Sequence, residues 1–146
     1  MAFGVGTYRP SGGTIKDFLV ENNAATDIKA GDLVMILPSG YAYSGAVDDA
    51  DPETTAAVLA GVALEDATYV DATSKVRVDI GGAQVKVTHT AGGQAQTNVG
   101  DQVFVDGAQA VDLTGGMTDQ VPAGHIAEIA SATVVWVQLK PFGVVA

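Results

Sequence analysis

The sequence predicts an all-β protein, a compact β-barrel or sandwich with an internal duplication, preceded by an extended N-terminal arm. Three observations lead there. Val76, Val78 and Ile80 alternate with Lys75, Arg77 and Asp79, and Val85 and Val87 alternate with Gln84, Lys86 and Thr88. That period of two is the signature of half-buried strands. No stretch has convincing helical periodicity, the best weak candidate being Glu53 to Leu59. Finally, the two halves share a skeleton. Ala30-Gly31-Asp32-Leu33-Val34-Met35-Ile36 matches Val99-Gly100-Asp101-Gln102-Val103-Phe104-Val105, the segment 60–65 matches 123–128 at its ends, and 75–80 corresponds to 134–139.

Taken in order, residues 1–20 read as the arm, because Gly4, Gly6, Pro10, Ser11, Gly12 and Gly13 interrupt every periodic pattern. Phe3, Tyr8, Arg9 and Phe18 are its candidate partner-binding residues. Its large rings either fold back on their own domain or dock into a neighbour, as extended segments do when they order on binding. Residues 21–146 read as a single β-domain. A short strand is expected over Phe18–Val20, then an apolar strand over Leu33–Leu37 with Tyr41–Tyr43 returning beside it. Leu59–Leu64 follows, and Glu65–Ser74 is a loop. The Gly81-Gly82 pair between two alternating runs predicts a hairpin pairing Val78 with Val85 and Val76 with Val87, since glycine supplies the positive φ of tight primed turns. His89–Asn98 is expected at the surface, and strands follow over 103–105, 110–111, 124–129 and 133–139. Each Gly-Asp pair has a mechanical role: glycine turns the chain and the aspartate ties the turn's N–H groups. Gly61 and Gly124, near the starts of apolar strands, point to a bulge or close packing between layers.

Composition narrows the function classes. With 146 residues, 47% hydrophobic and 16% charged, the chain can bury a sizeable core. No apolar run approaches the roughly 18 residues of a membrane span, and the start lacks the charged and apolar regions of a secretory leader, so none is expected. The absence of cysteine excludes disulfides and thiolate chemistry. A formal charge of −10 argues against a nucleic-acid partner and keeps the surface soluble by self-repulsion.

The chemistry-bearing residues form no signature. His89 and His125 are far apart, His125 as a half-buried strand residue and His89 at the surface, and no phosphate loop, nucleophile elbow or zinc-protease helix is present. Asp48, Asp49, Asp51 and Glu53 fail the EF-hand spacing and read as a solvated acidic loop. Glu65, Asp66, Asp71 and Glu128 are the acids a fold might pair, without support from spacing. Trp136 packs in the core. The expectation is therefore a binding or structural module with no catalytic residues, metal, cofactor or small-molecule substrate.

The repeated Gly-Asp turn and strand, the strand Ala60-Gly61-Val62-Ala63-Leu64-Glu65, the valine runs and the closing Val134-Val135-Trp136-Val137-Gln138-Leu139 resemble head decoration (cement) proteins of tailed bacteriophages. The likeness is to the small all-β capsid-stabilising group, some with a β-tulip fold, and it covers about residues 25–140. It implies a homotrimer on the outside of an icosahedral virion, bound to the major capsid protein and assembled in the host cytoplasm, with extended termini reaching a neighbour. Another β-rich assembly module, such as a tail, fibre or cell-surface domain, is the alternative.

Overall fold

The computed structural model describes residues 8–21, 27–36, 40–44, 57–113 and 121–143. Eleven strands run in order: β1 (Tyr8–Arg9), β2 (Ile15–Leu19), β3 (Leu33–Ile36), β4 (Ala42–Ser44), β5 (Val58–Ala63), β6 (Lys75–Asp79), β7 (Gln84–His89), β8 (Gln102–Gly107), β9 (Ala110–Asp112), β10 (Pro122–Ile129) and β11 (Val134–Leu139). The chain is all-β, as the alternation requires; its helical content among the described residues is two short 3₁₀ turns, Gln96–Asn98 and Pro141–Gly143. No helix among them is long and apolar enough to cross a membrane.

The strands form two sheets of one design. The first has the order β2-β6-β5-β3-β4, and a parallel bridge from Val20 to Ala42 joins its ends. In the second, β7-β11-β10-β8-β9, parallel pairing of β9 with β7 closes a five-stranded barrel, so that no strand edge is left along that join. The strands β2 to β6 thus recur, in order, as β7 to β11. The hydrogen bonds recur with them. Gly31 N–H donates to Ala63 O at 2.8 Å and Gly100 N–H to Ile126 O at 2.7 Å. Glu21 N–H reaches Ala42 O and Thr90 N–H reaches Val111 O, each at 2.9 Å. The duplication read from the sequence is a duplication of strand order and of the bonds at the turns and at the closure.

The Gly-Asp turns work as their chemistry dictates. Gly31 and Gly100 take φ of +91° and +97°. Asp32 accepts from Lys29 N–H at 3.0 Å, and Asp101 accepts from the Asn98 side chain, also at 3.0 Å. Gly61 and Gly124 occupy one position in the two repeats. Gly61 pairs with Val34 before the register shifts past Ala60, and Gly124 pairs with Val103 beside a shift past Ala123. Each is a bulge that bends its strand round the barrel.

The expected hairpin across Gly81-Gly82 does not form. β6 pairs with β2 and β5, whereas β7 pairs with β11, β1 and β9. The segment between them carries the chain from one sheet to the other, with Gly82 at φ +87°. Alternation is satisfied either way, because it sets which face is apolar and not which strand lies alongside. Each strand instead takes a five-residue register from its own repeat: Ile15–Leu19 beside β6, and Val134–Gln138 beside β7. Val76 and Val78 therefore enter one core, and Val85 and Val87 the other.

That first core lies inside the first sheet and holds Val20, Ile28, Val34, Ala42, Ala60, Val76 and Val78. The larger core fills the second barrel with Val87, Val103, Val105, Val111, Ile126, Val135 and Val137, and also takes in Leu33, Met35, Leu59 and Val62 from the first sheet. The first sheet is thus apolar on both faces, and the two repeats share one interior. Burying each of the valine, leucine, isoleucine and methionine side chains among these stabilises by about 1.5–3 kcal/mol. Leu33 N–H also donates to Ala108 O at 2.7 Å, and Gln109 Nε2 to Asp32 at 3.2 Å, tying the repeats together.

Candidate interaction surface

Of the segment read as an arm, Phe3 lies outside the described residues. Residues 8–20 are laid on the sheets as two strands, β1 and β2, joined through a bend at Gly12-Gly13. β1 pairs with the start of β7, Tyr8 opposite Val85 and Arg9 opposite Gln84. The Tyr8 hydroxyl donates to the Asp79 carboxylate. The same carboxylate accepts from Ser11 Oγ at 2.7 Å, Ser11 N–H at 3.2 Å and Gly81 N–H at 3.0 Å. Asp79 is buried, not on a polar hairpin face as the sequence suggested. Burial opposes its ionisation, but the bonds from Tyr8, Gly81 and Ser11 outweigh it and hold the carboxyl below the usual range. Burial, with the neighbouring Asp79, pushes the Tyr8 phenol up. This knot fastens the N-terminal segment to the crossing between the repeats. An aspartate two residues before a glycine is an Asx-turn signal, and it was the trace of the knot in the sequence.

Arg9 lies on the outer face of the second barrel. Its guanidinium sits 3.7 Å from the centre of the Trp136 ring and meets Glu128 and Gln84, each at 3.1 Å. The ion pair is half exposed and contributes little, but the stacked guanidinium covers the tryptophan. Trp136 is buried on the outer face under Arg9 and not in the valine core where the sequence placed it, because it alternates with the inward Val135 and Val137. Phe18 is half-buried, its ring 6.3 Å from that of Phe142.

Among the described residues, the surface left open is β2. Phe18 and Val20 turn into the first core, so by alternation Ile15, Asp17 and Leu19 face out. Ile15 is 55% and Leu19 38% exposed, with Asp17 held between them by Arg77 at 3.6 Å. The matching outward residues of β7 are Gln84, Lys86 and Thr88, all polar. The edges differ too. That of β7 is covered by β1 and β9, whereas β2 meets only β6 and, at Val20, Ala42 among the described residues. Phe142, on the turn after β11, is 43% exposed and held at φ +62°.

Reactive groups do not converge among the described residues. His125 is half-buried in β10, as expected. His89 is not at the surface: it ends β7 inside the second barrel, 1% exposed, and neither ring nitrogen has a hydrogen-bond partner among the described residues. It occupies the position of Val20 in the first repeat, and alternation from Val85 and Val87 was the signal that placed it inside. Asp66 accepts from Ala30 N–H at 2.8 Å, Asp71 from Thr73, and Glu128 from Arg9. The bonds from the Thr73 hydroxyl and N–H hold the Asp71 carboxyl below its usual range. No group of three His, Asp or Glu residues suited to a metal occurs among the described residues; the acids 48, 49, 51 and 53 lie outside them. Comparison with known protein families, curated proteins and solved structures finds no match.

Proposed function

We propose that this protein is a structural module that binds the outside of an icosahedral phage capsid and stabilises the shell by buried interface, without catalysis. One observation carries the reading beyond the resemblance: the outward face of β2. A repeat that puts polar residues on that face in β7 puts Ile15 and Leu19 there in β2, beside an edge that no other strand among the described residues covers. An open strand edge next to exposed apolar side chains accepts an added strand, with backbone bonds for affinity and the side chains for fit. Contacts of that kind, repeated on a symmetric lattice, become collectively strong, and binding the assembled shell alone stabilises it by mass action.

The test uses light scattering and capsid heat resistance together. The expected result is a trimer that, added to undecorated capsids, raises the temperature at which they release their contents. A monomer without affinity for capsids overturns the proposal. Electron microscopy of labelled particles with label on a tail or fibre would move the protein to another assembly role.

A further inference from the structure

We propose that the strand added at β2 belongs to another protein, runs antiparallel to β2, and carries an acidic residue opposite Lys16 with apolar residues opposite Ile15 and Leu19. The inference rests on reading β2 as the docking surface. The backbone there has a definite phase. Ile80 N–H donates to Thr14 O at 3.0 Å and Val20 N–H to Ser74 O at 2.9 Å, so the even-numbered residues along β2 exchange their bonds with β6. Alternation then turns the N–H and C=O groups of Ile15, Asp17 and Leu19 to the open edge. Their side chains are also the outward ones, so one set of residues supplies both the bonds and the fit.

The second barrel shows how such an edge is filled. There the counterparts of Ile15 and Lys16 are Gln84 and Val85, and β1 covers both in antiparallel register. Thr88 N–H, the counterpart of Leu19 N–H, donates to Gln109 O at 3.1 Å. Among the described residues Leu19 N–H makes no such bond. The first barrel therefore leaves open what the second one covers with a strand.

The side chains along the edge set the partner's chemistry. Ile15 and Leu19 ask for apolar neighbours across the join. Arg77 is already held by Asp17, but Lys16 and Lys75 are exposed and in no ion pair among the described residues. Three of the seven basic residues of a chain with net charge −10 thus lie on β2 and β6, where an incoming acid meets them. The chain's own segments do not supply that acid: residues 1–7 and 144–146 contain none. A second β2, paired antiparallel so that Ile15 meets Leu19, sets Asp17 against Asp17 and Lys16 against Phe18. Like charges directly opposite destabilise a pair of strands, so the occupant is another protein and not a second copy.

The experiment is a titration of the full chain, followed by amide chemical shifts, with the end-capped peptide Val-Tyr-Thr-Glu-Val. Its first valine pairs with Leu19, its glutamate with Lys16 and its last valine with Ile15. One control peptide has lysine for the glutamate, and another has proline for the threonine, which removes the N–H that faces Asp17. Shifts are expected at residues 15–19 and 75–79. The lysine peptide should bind about two- to fivefold more weakly, and the proline peptide should not bind measurably. Lys16→Glu should reverse the preference between the two charged peptides. Equal binding of those peptides to the wild type, an unchanged preference in Lys16→Glu, or shifts elsewhere on the chain would overturn the proposal. So would concentration-dependent shifts at residues 15–19 without peptide, which would make a second copy the occupant. Peptide selectivity in a protein that does not pellet with capsids would support this inference and remove only the capsid reading; pelleting without selectivity would do the reverse.

Discussion

Gly61 and Gly124 offer a matched pair of perturbations. A β-carbon on Gly61 would lie 2.0 Å from the carbonyl oxygen of Asp79, and one on Gly124 would lie 1.9 Å from that of Gln138. Asp79 and Gln138 are themselves equivalent, so the two repeats bring the same backbone atom against the same glycine. The obstacle is a main-chain oxygen in a neighbouring strand, which moves only if the ladder moves. Both glycines also hold a φ near +150°, where a side chain is strained whatever the space. Backbone strain of this kind costs about 1–3 kcal/mol and overpacking about 1–3 kcal/mol more, so Gly61→Ala and Gly124→Ala should each lose about 4 kcal/mol. For a chain of this size that is a fall in Tm of about 10 °C or more. Gly93→Ala is the control, with φ +65° and no atom within 4 Å; it should lose only about 1 kcal/mol. Urea unfolding of the three variants measures this. If either bulge variant unfolds with the Gly93→Ala control, the close approach between β5 and β6, or between β10 and β11, is not what these glycines serve.

Three further outcomes are expected. His89→Val installs the residue the first repeat uses at that position and removes two unpartnered ring nitrogens, so stability should rise by about 1–3 kcal/mol; a lower Tm would show that the imidazole is bonded in solution. The Asp79–Tyr8 bond should shape the pH profile at both ends. The Asp79 carboxyl is lowered, so its contribution is full above the unfolded value of about 3.9 and is lost as pH falls through the lower folded value. The Tyr8 phenol is raised, so its contribution is full below the unfolded value of about 10 and is lost as pH rises towards the folded one. Urea midpoints across pH should lose the acid slope in Asp79→Asn and the alkaline slope in Tyr8→Phe. Lastly, removing residues 1–17 takes away β1, the Tyr8 and Ser11 bonds to Asp79 and most of β2, and should unfold the first sheet, seen as a loss of strand signal in circular dichroism.

The sequence carried the plan of the fold further than its wiring. Gly31-Asp32 and Gly100-Asp101 announced their turns because the chemistry is local: one residue takes the positive φ and the next ties the backbone. Gly61 and Gly124 announced their bulges for the same reason. The crossing at Gly81-Gly82 was read as a hairpin because alternation is also local, while the choice between β7 and β2 as the neighbour of β6 is made by the whole repeat. His89 looked like a loop residue because a polar side chain beside Thr88 and Thr90 breaks the apolar rhythm, although its position in the alternation was inward. Phe18 stood out as a large ring in a glycine-rich stretch, but it packs on the first core and is not part of the outward face of β2. Ile15 and Leu19 were not legible as that face, because their exposure is visible only against the polar outer face of β7.

If the chain binds capsids through the outward face of β2, co-sedimentation with undecorated phage capsids will separate the wild type from a variant altered only there. Ile15→Asp combined with Leu19→Asp changes only exposed side chains, so the variant should keep the wild-type dichroism and Tm. The wild type should pellet with capsids and the variant should stay in the supernatant. Equal pelleting of the two, or no pelleting of the wild type, would contradict the account.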